Sequence, residues 1–375
     1  MKNNRRDFIK KSTALATFSL AGLGTAGSGI IGLSDSSKTP SEGSAKVNAG
    51  KPGMKIALQA STEPSEDNIK FIQQMGLDQV ILWTDASKAS YEYYDSRRKL
   101  YAEAGINVFG FGNSSVHNQD LIVLNLPGRD EKIEEYKTHL RNLGKAGIKY
   151  TTYAHMGNGI WSTAREATRG GAMARAFDLE KATSGAWGGK RFSMPLSHGR
   201  NYTNDEIWAN YEYFIRAAVP VAEEADVRIG IHPDDPPVPE LAGVPRCIFS
   251  SFDGYKRAME IADSPNVGLC LCVGCWLEGG SLMGKDVIET IRYFGKRNKI
   301  FKVHFRNVNQ PLPHFVETFL DNGYADMYKI MKALKDVDFD GVLIADHIPS
   351  MVNGDGTAFT IGYMKALLER VNAEG

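Results

Sequence analysis

Val227-Arg228-Ile229-Gly230-Ile231-His232 is a short apolar run closed by a histidine. Its β-branched residues and its brevity read as a buried strand. Three runs downstream are built the same way: Leu269-Cys270-Leu271-Cys272, Ile300-Phe301-Lys302-Val303-His304 and Val342-Leu343-Ile344-Ala345-Asp346-His347. Working outward gives strands at 54–60, 78–84, 106–111, 148–154, 228–232, 267–272, 299–304 and 341–345. Helical periodicity separates and follows them, near 66–75, 90–104, 131–145, 204–225, 252–262, 285–297, 326–336 and 358–373. Eight strand–helix units in roughly 320 residues predict an α/β chain forming a single (β/α)8 TIM barrel. An open doubly wound sheet competes, but it needs fewer units, and no Gly-rich phosphate fingerprint follows the first strand.

The bulk composition is that of an ordinary globular enzyme. Of the 375 residues, 42% are hydrophobic and 23% charged, and 44 basic residues balance 44 acidic ones. Zero formal charge and the lack of a basic stripe argue against a nucleic-acid partner. The four cysteines, Cys247, Cys270, Cys272 and Cys275, are too few for a disulfide scaffold of this size. Each alone is expected to be a small buried apolar thiol.

The first residues read as an address. Arg5-Arg6, followed by Phe8, Ile9 and Lys10, resembles the twin-arginine export pattern, and a Gly-, Ser- and Ala-rich apolar stretch runs from Ala14 to Leu33. The expected organisation is a signal peptide at 1–33, a Ser-, Lys- and Gly-rich linker at 34–53, and the barrel at 54–375. The chain is then periplasmic or otherwise exported, with no stable membrane span after cleavage. An uncleaved segment would anchor it, although the stretch is weakly apolar for a permanent span.

Two connections are long, 111–130 after the third strand and 155–203 after the fourth. Connections of that length without a regular pattern are usually binding loops or lids, and on a barrel they fall on the catalytic face.

The chemistry gathers at the late strand tips. His232, Cys272, His304 and Asp346 end four consecutive strands, whose C-terminal ends converge on the barrel mouth. Any one of them has a bland structural explanation. Together they offer two imidazoles, a thiolate and a carboxylate, a donor set for a divalent metal such as Zn, Fe, Co, Ni or Mn. Asp234 and Asp235, held in a proline-rich loop, could orient His232 or bind substrate hydroxyls. Arg306 and Asn307 could grip a substrate carboxylate. His347, beside Asp346, is placed to carry a proton.

Ile231-His232-Pro233-Asp234-Asp235-Pro236-Pro237 with Gly243-Val244-Pro245-Arg246 closely resembles the hallmark of the mannonate dehydratase family. His304-Phe305-Arg306-Asn307-Val308, Asp326-Met327-Tyr328, Asp346-His347 and Ala217–Glu224 resemble it too. The resemblance implies a xylose-isomerase-like barrel with Mn2+, or Fe2+, Co2+, Ni2+ or Zn2+ in its place, held by His232, Cys272, His304 and Asp346. It also implies His347 in acid–base work and loss of water from a small-molecule sugar acid, D-mannonate, giving 2-dehydro-3-deoxy-D-gluconate. The chain departs from the family on its first strand, where Ala57-Leu58-Gln59-Ala60-Ser61 replaces an Arg-Trp-Tyr-Gly run. The connection after the fourth strand lacks much of the family's insertion. Tyr363, in Ile361-Gly362-Tyr363, is the candidate for a family tyrosine that follows the last strand.

Two rivals remain on this reading. A sugar isomerase or epimerase on the same barrel would lose no water, and a secreted sugar-binding protein would bind without turnover. The sequence is compatible with a homo-oligomer and does not select a state.

Overall fold

Lys55–Ala60 (β1) begins a closed ring of eight parallel strands, continued by Gln79–Thr84 (β2), Asn107–Asn113 (β3), Tyr150–Tyr153 (β4), Arg228–Ile231 (β5), Val267–Cys272 (β6), Ile300–Phe305 (β7) and Val342–Ala345 (β8). The computed structural model describes residues 53–374. The twin-arginine-type segment 1–33 and, except for Gly53, the linker 34–53 lie outside the described residues. The ring closes where β1 pairs with β8, Ile56 opposite Leu343. All eight expected strands are present, in the expected order. The fold is a (β/α)8 TIM barrel.

Helices Glu66–Gln74 (α1), Tyr91–Glu103 (α2), Arg129–Lys145 (α3), Asn204–Glu224 (α4), Phe252–Ala262 (α5), Val287–Gly295 (α6), Met327–Lys335 (α7) and Gly356–Ala373 (α8) follow the strands in turn. Their starts are written locally. Capping boxes at Ser65/Asn68, Thr203/Glu206 and Asp286/Glu289 satisfy amide groups that a first helical turn otherwise leaves unpaired. Their apolar faces pack on the strands. Tyr153 at the end of β4 stacks on Phe214 of α4 with ring centroids 4.6 Å apart, a contact contributing about 0.5–1.5 kcal/mol beyond the area it buries. The lower barrel interior is filled by Ala57, Ile81, Tyr150, Phe301, Val342 and Ile344.

Parallel pairing sets the heights of the functional residues. Cys272 lies opposite His304, and His304 opposite Ile344, so the tips of β6, β7 and β8 end at one level. A register shift between Leu269 and Cys270 re-aims β6 just before Cys272.

The long connection after β4 is more ordered than its sequence suggested. Ile160–Trp161, Ser184–Trp187 and Lys190–Ser193 form a small three-stranded sheet. Ala176–Asp178 pairs antiparallel with His314–Thr318 in the connection after β7. The excursion is therefore joined to the opposite side of the mouth by backbone hydrogen bonds. These pairings are between residues far apart in sequence, so local periodicity carries no sign of them. No described helix is long and apolar enough to cross a membrane.

Candidate active site

His232 follows β5, and its Nδ1 lies 2.7 Å from the Pro233 carbonyl oxygen. A carbonyl only accepts, so Nδ1 carries the proton and the Nε2 lone pair points the other way. There Nε2 meets His304 Nδ1 at 3.1 Å. His304 Nδ1 is also 3.5 Å from Asp346 Oδ2. One donor atom each from His232, Cys272 and His304 falls within 4.8 Å of the others, all three residues being buried. His304 Nε2 is buried without a hydrogen-bond partner. Two imidazoles facing each other, a buried sulfur and a carboxylate at the edge form a donor set that a divalent cation completes. The residues present therefore fit a metal.

The charges favour the ligand forms of Cys272 and Asp346. Burial opposes ionisation of Cys272, but a hydrogen bond from Cys275 and the nearby Arg306 hold its thiol well below the usual range. Burial likewise opposes Asp346, yet His347, His304 and Arg306 together keep its carboxyl well below the carboxylate range. Asp234 is raised to about 6 by burial, against the pull of Arg246 and His232.

A buried ionic network surrounds this set. Arg306 Nη1 reaches Asp346 Oδ2 at 2.9 Å and Glu317 Oε1 at 3.2 Å, while Nη2 reaches Glu278 Oε1 at 2.5 Å. Arg175 Nη2 reaches Asp235 Oδ1 at 2.5 Å, and its Nη1 reaches Glu317 Oε1 at 3.0 Å. Burial raises Asp235, but Arg175 and then Arg306 pull its carboxyl below the usual range. Two guanidinium groups face four carboxylates here. The excess negative charge is met at Glu278, which burial holds well above the carboxylate range despite Arg306. Arg246 ties the network's floor together, donating to the Pro236 and Gly159 carbonyls and to Asn158 Oδ1.

His347 stands at the rim in a left-handed backbone conformation, φ 48°, uncommon for a residue with a side chain and typical of functional positions. Its Nδ1 lies 2.8 Å from Glu317 Oε1 and 2.6 Å from Arg306 Nη1. Its side chain is 38% exposed, against 14% for Asp346 and 10% for His304. Nε2 makes no hydrogen bond among the described residues and lies 3.9 Å from Asp346 Oδ1. Burial lowers its basicity, and the charges of Asp346 and Glu317 more than reverse this, leaving the imidazole more basic than usual.

Several expected residues take other roles. Arg306 is 1% exposed and paired with the chain's own carboxylates, so it positions Asp346 and His347 and has no free fork for a substrate carboxylate. Asn307 is buried and self-satisfied: Nδ2 donates to the Leu320 and Ala325 carbonyls, and Oδ1 accepts from the Val308 and Ala325 amides. It fixes the connection after β7. Tyr363 lies on α8 among the packing residues of the outer layer, with no hydrogen bond to these site residues among the described ones. Asp234 and Asp235 are both buried, and Asp235 is engaged by Arg175.

Arg175, Glu278 and Glu317 were not singled out from the sequence. Each is a common surface residue type. Only the length of the connection carrying Arg175 marked its neighbourhood as functional.

A model of the D-mannonate dehydratase (UxuA) family matches residues 67–373. The mannonate dehydratase of Streptococcus pneumoniae (strain 70585) is 33% identical over 270 residues, covering 67% of this chain and 72% of the relative. The crystal structure of mannonate dehydratase from Streptococcus suis serotype 2 superposes with a TM-score of 0.73 at 28% identity, over 86% of this chain and 96% of that one. A xylose isomerase domain protein from Planctomyces limnophilus shares the fold at 12% identity, with a TM-score of 0.55 over 86% of this chain and all of its own 100%. With the match spanning nearly the whole barrel and the hallmark residues lining its mouth, this chain belongs to the D-mannonate dehydratase family.

Proposed function

We propose that the protein is a metal-dependent dehydratase that converts D-mannonate to 2-dehydro-3-deoxy-D-gluconate and water. The observation that carries this reading is the convergence of His232, Cys272, His304 and Asp346 at the mouth of a barrel of that family. These four would hold the cation, with manganese our first choice and iron, cobalt, nickel or zinc compatible with the same donors. When bound, the cation supplies Lewis-acid stabilisation of negative charge developing beside the substrate carboxylate.

The chain's own residues do the rest. His347, whose Nδ1 lies against Glu317 Oε1 and Arg306 Nη1, uses Nε2 as its proton-carrying nitrogen. It hands a proton to the departing C3 hydroxyl, which would otherwise leave as hydroxide. Arg306 holds Asp346 and His347 at fixed spacing, and Asp235 and Glu317 hold Arg175 across the top.

Full-length protein loaded with manganese and incubated with D-mannonate should yield a keto-deoxy acid, and a chelator should abolish it. A folded, metal-bound protein giving no such product would defeat the assignment. We further propose export by the twin-arginine route, supported by Arg5-Arg6 and the apolar stretch after it. Arg5→Lys with Arg6→Lys should retain the protein in the cytoplasm, and unchanged fractionation would rule the route out.

A further inference from the structure

Where β6 turns into the short helix Val273–Gly279, the chain reads Cys272-Val273-Gly274-Cys275. Cys272 is the residue that caps this turn, and its sulfur accepts the Cys275 amide at 3.4 Å. That contact places Cys275 in the first turn directly above the Cys272 sulfur, and both residues are fully buried. Side chains three apart on a helical turn have Cβ atoms about 5–6 Å apart. A disulfide needs Cβ atoms about 3.5–4.5 Å apart, so closing the pair draws the backbone of this first turn together as well as turning the two side chains. Cys275 has no part in the metal-donor group; it groups instead with Asp235 and Glu278 and accepts from Arg306 Nη2 at 3.4 Å. It is a buried nucleophile that the dehydration leaves unused, touching one that the metal needs. Cys247 is remote, its thiol facing the Asn204 carbonyl.

We propose that Cys272 and Cys275 form a redox pair, which a peroxide oxidises to a disulfide that withdraws Cys272 from the metal site and which a thiol reductant reopens. The Cys272 sulfur attacks one peroxide oxygen, forming an S–O bond as the O–O bond breaks and water leaves. The Cys275 sulfur then attacks Cys272, forming S–S and expelling the oxygen as a second water. The two thiols lose two electrons and two protons, and the peroxide takes up both. The loss of metal on oxidation rests on the reading of Cys272 as a ligand, whereas closure of the pair does not.

The test treats the full-length protein, metal-free and manganese-loaded, with hydrogen peroxide and counts alkylatable thiols after denaturation. Two of the four thiols should disappear, with a mass loss of two hydrogens located on the peptide carrying both residues. Reductant should restore them, and bound manganese should slow the loss and leave as closure proceeds. Cys275→Ser and Cys275→Ala should both abolish the two-thiol loss, while Cys270→Ser should preserve it. Survival of all four thiols, closure to Cys270, or oxidation of Cys272 alone to a form that reductant does not reverse would each overturn the pair. The thiol count is read without substrate, so it stands or falls separately from the dehydratase assignment.

Discussion

Arg175 Nη2 lies 2.5 Å from Asp235 Oδ1, and the same guanidinium reaches Glu317 Oε1 at 3.0 Å. One side chain from the excursion after β4 thus clamps the loop after β5 to the connection after β7. All three groups are nearly excluded from water, so the clamp is rigid and removing one member leaves the others uncompensated.

Arg175→Ala should therefore destabilise the fold by about 3 kcal/mol or more, because two buried carboxylates lose their partner. Urea unfolding reads the stability, and limited proteolysis between residues 160 and 193 reads the loosened excursion. Arg175→Lys keeps the charge but cannot span two carboxylates with a planar fork, so it should fall between. An alanine variant as stable and as protease-resistant as the parent would show that the clamp carries no weight.

Cys272→Ala and His304→Ala should each lose bound metal, measured by elemental analysis after gel filtration. Both remove a donor atom from the group that converges within 4.8 Å. Manganese should raise the melting temperature of the parent in a concentration-dependent way, and that shift should vanish in both variants. Unchanged metal content in both variants would refute the ligand assignment.

His347→Asn should keep the metal and lose turnover by about 10²–10⁴-fold, the usual span for losing a positioned proton carrier. The amide can still accept from Arg306 but cannot deliver a proton at Nε2. Normal activity would remove His347 from the reaction.

His139 provides a stability prediction away from the metal. Its imidazole is fully buried between Tyr94 Oη at 2.6 Å and Thr151 Oγ1 at 2.9 Å, and burial lowers it from 6.5 to about 3. Between those values the unfolded chain binds a proton that the folded chain does not. Stability should therefore fall as the pH drops below 6.5, with His139 contributing a slope of about 1.4 kcal/mol per pH unit. Comparing urea unfolding at pH 7 and pH 5, His139→Gln should show a shallower loss than the parent. Equal slopes would mean that another group sets the acid sensitivity.

Gly274 stands against Arg306, where an added Cβ would collide with Nε. Gly274→Ala should push the guanidinium off Asp346 and Glu278, lowering activity together with stability. A variant indistinguishable from the parent in both would show that the turn after β6 yields easily.

The barrel was legible in the amino-acid order because strands and helices leave local signatures. Apolar runs of four to six residues, capping residues such as Thr203 with Glu206, and the count of eight units need no knowledge of distant contacts. The gathering of His232, Cys272, His304 and Asp346 at the barrel mouth follows from the same count, since parallel strands of a barrel all end at the same rim. What those tips meet was decided by tertiary structure alone. Arg175 and Glu317 are 142 positions apart, and neither residue type distinguishes a solvated surface from a buried clamp. Arg306 and Asn307 closely follow His304, and adjacency suggested substrate contact; closure of the connections around them turned both inward to carboxylates and carbonyls. Local order determines which elements form, because periodicity and capping act over a few residues. The identity of a buried charge's partner depends on which loops cross the mouth, and only the closed barrel with its paired excursion brings those loops together.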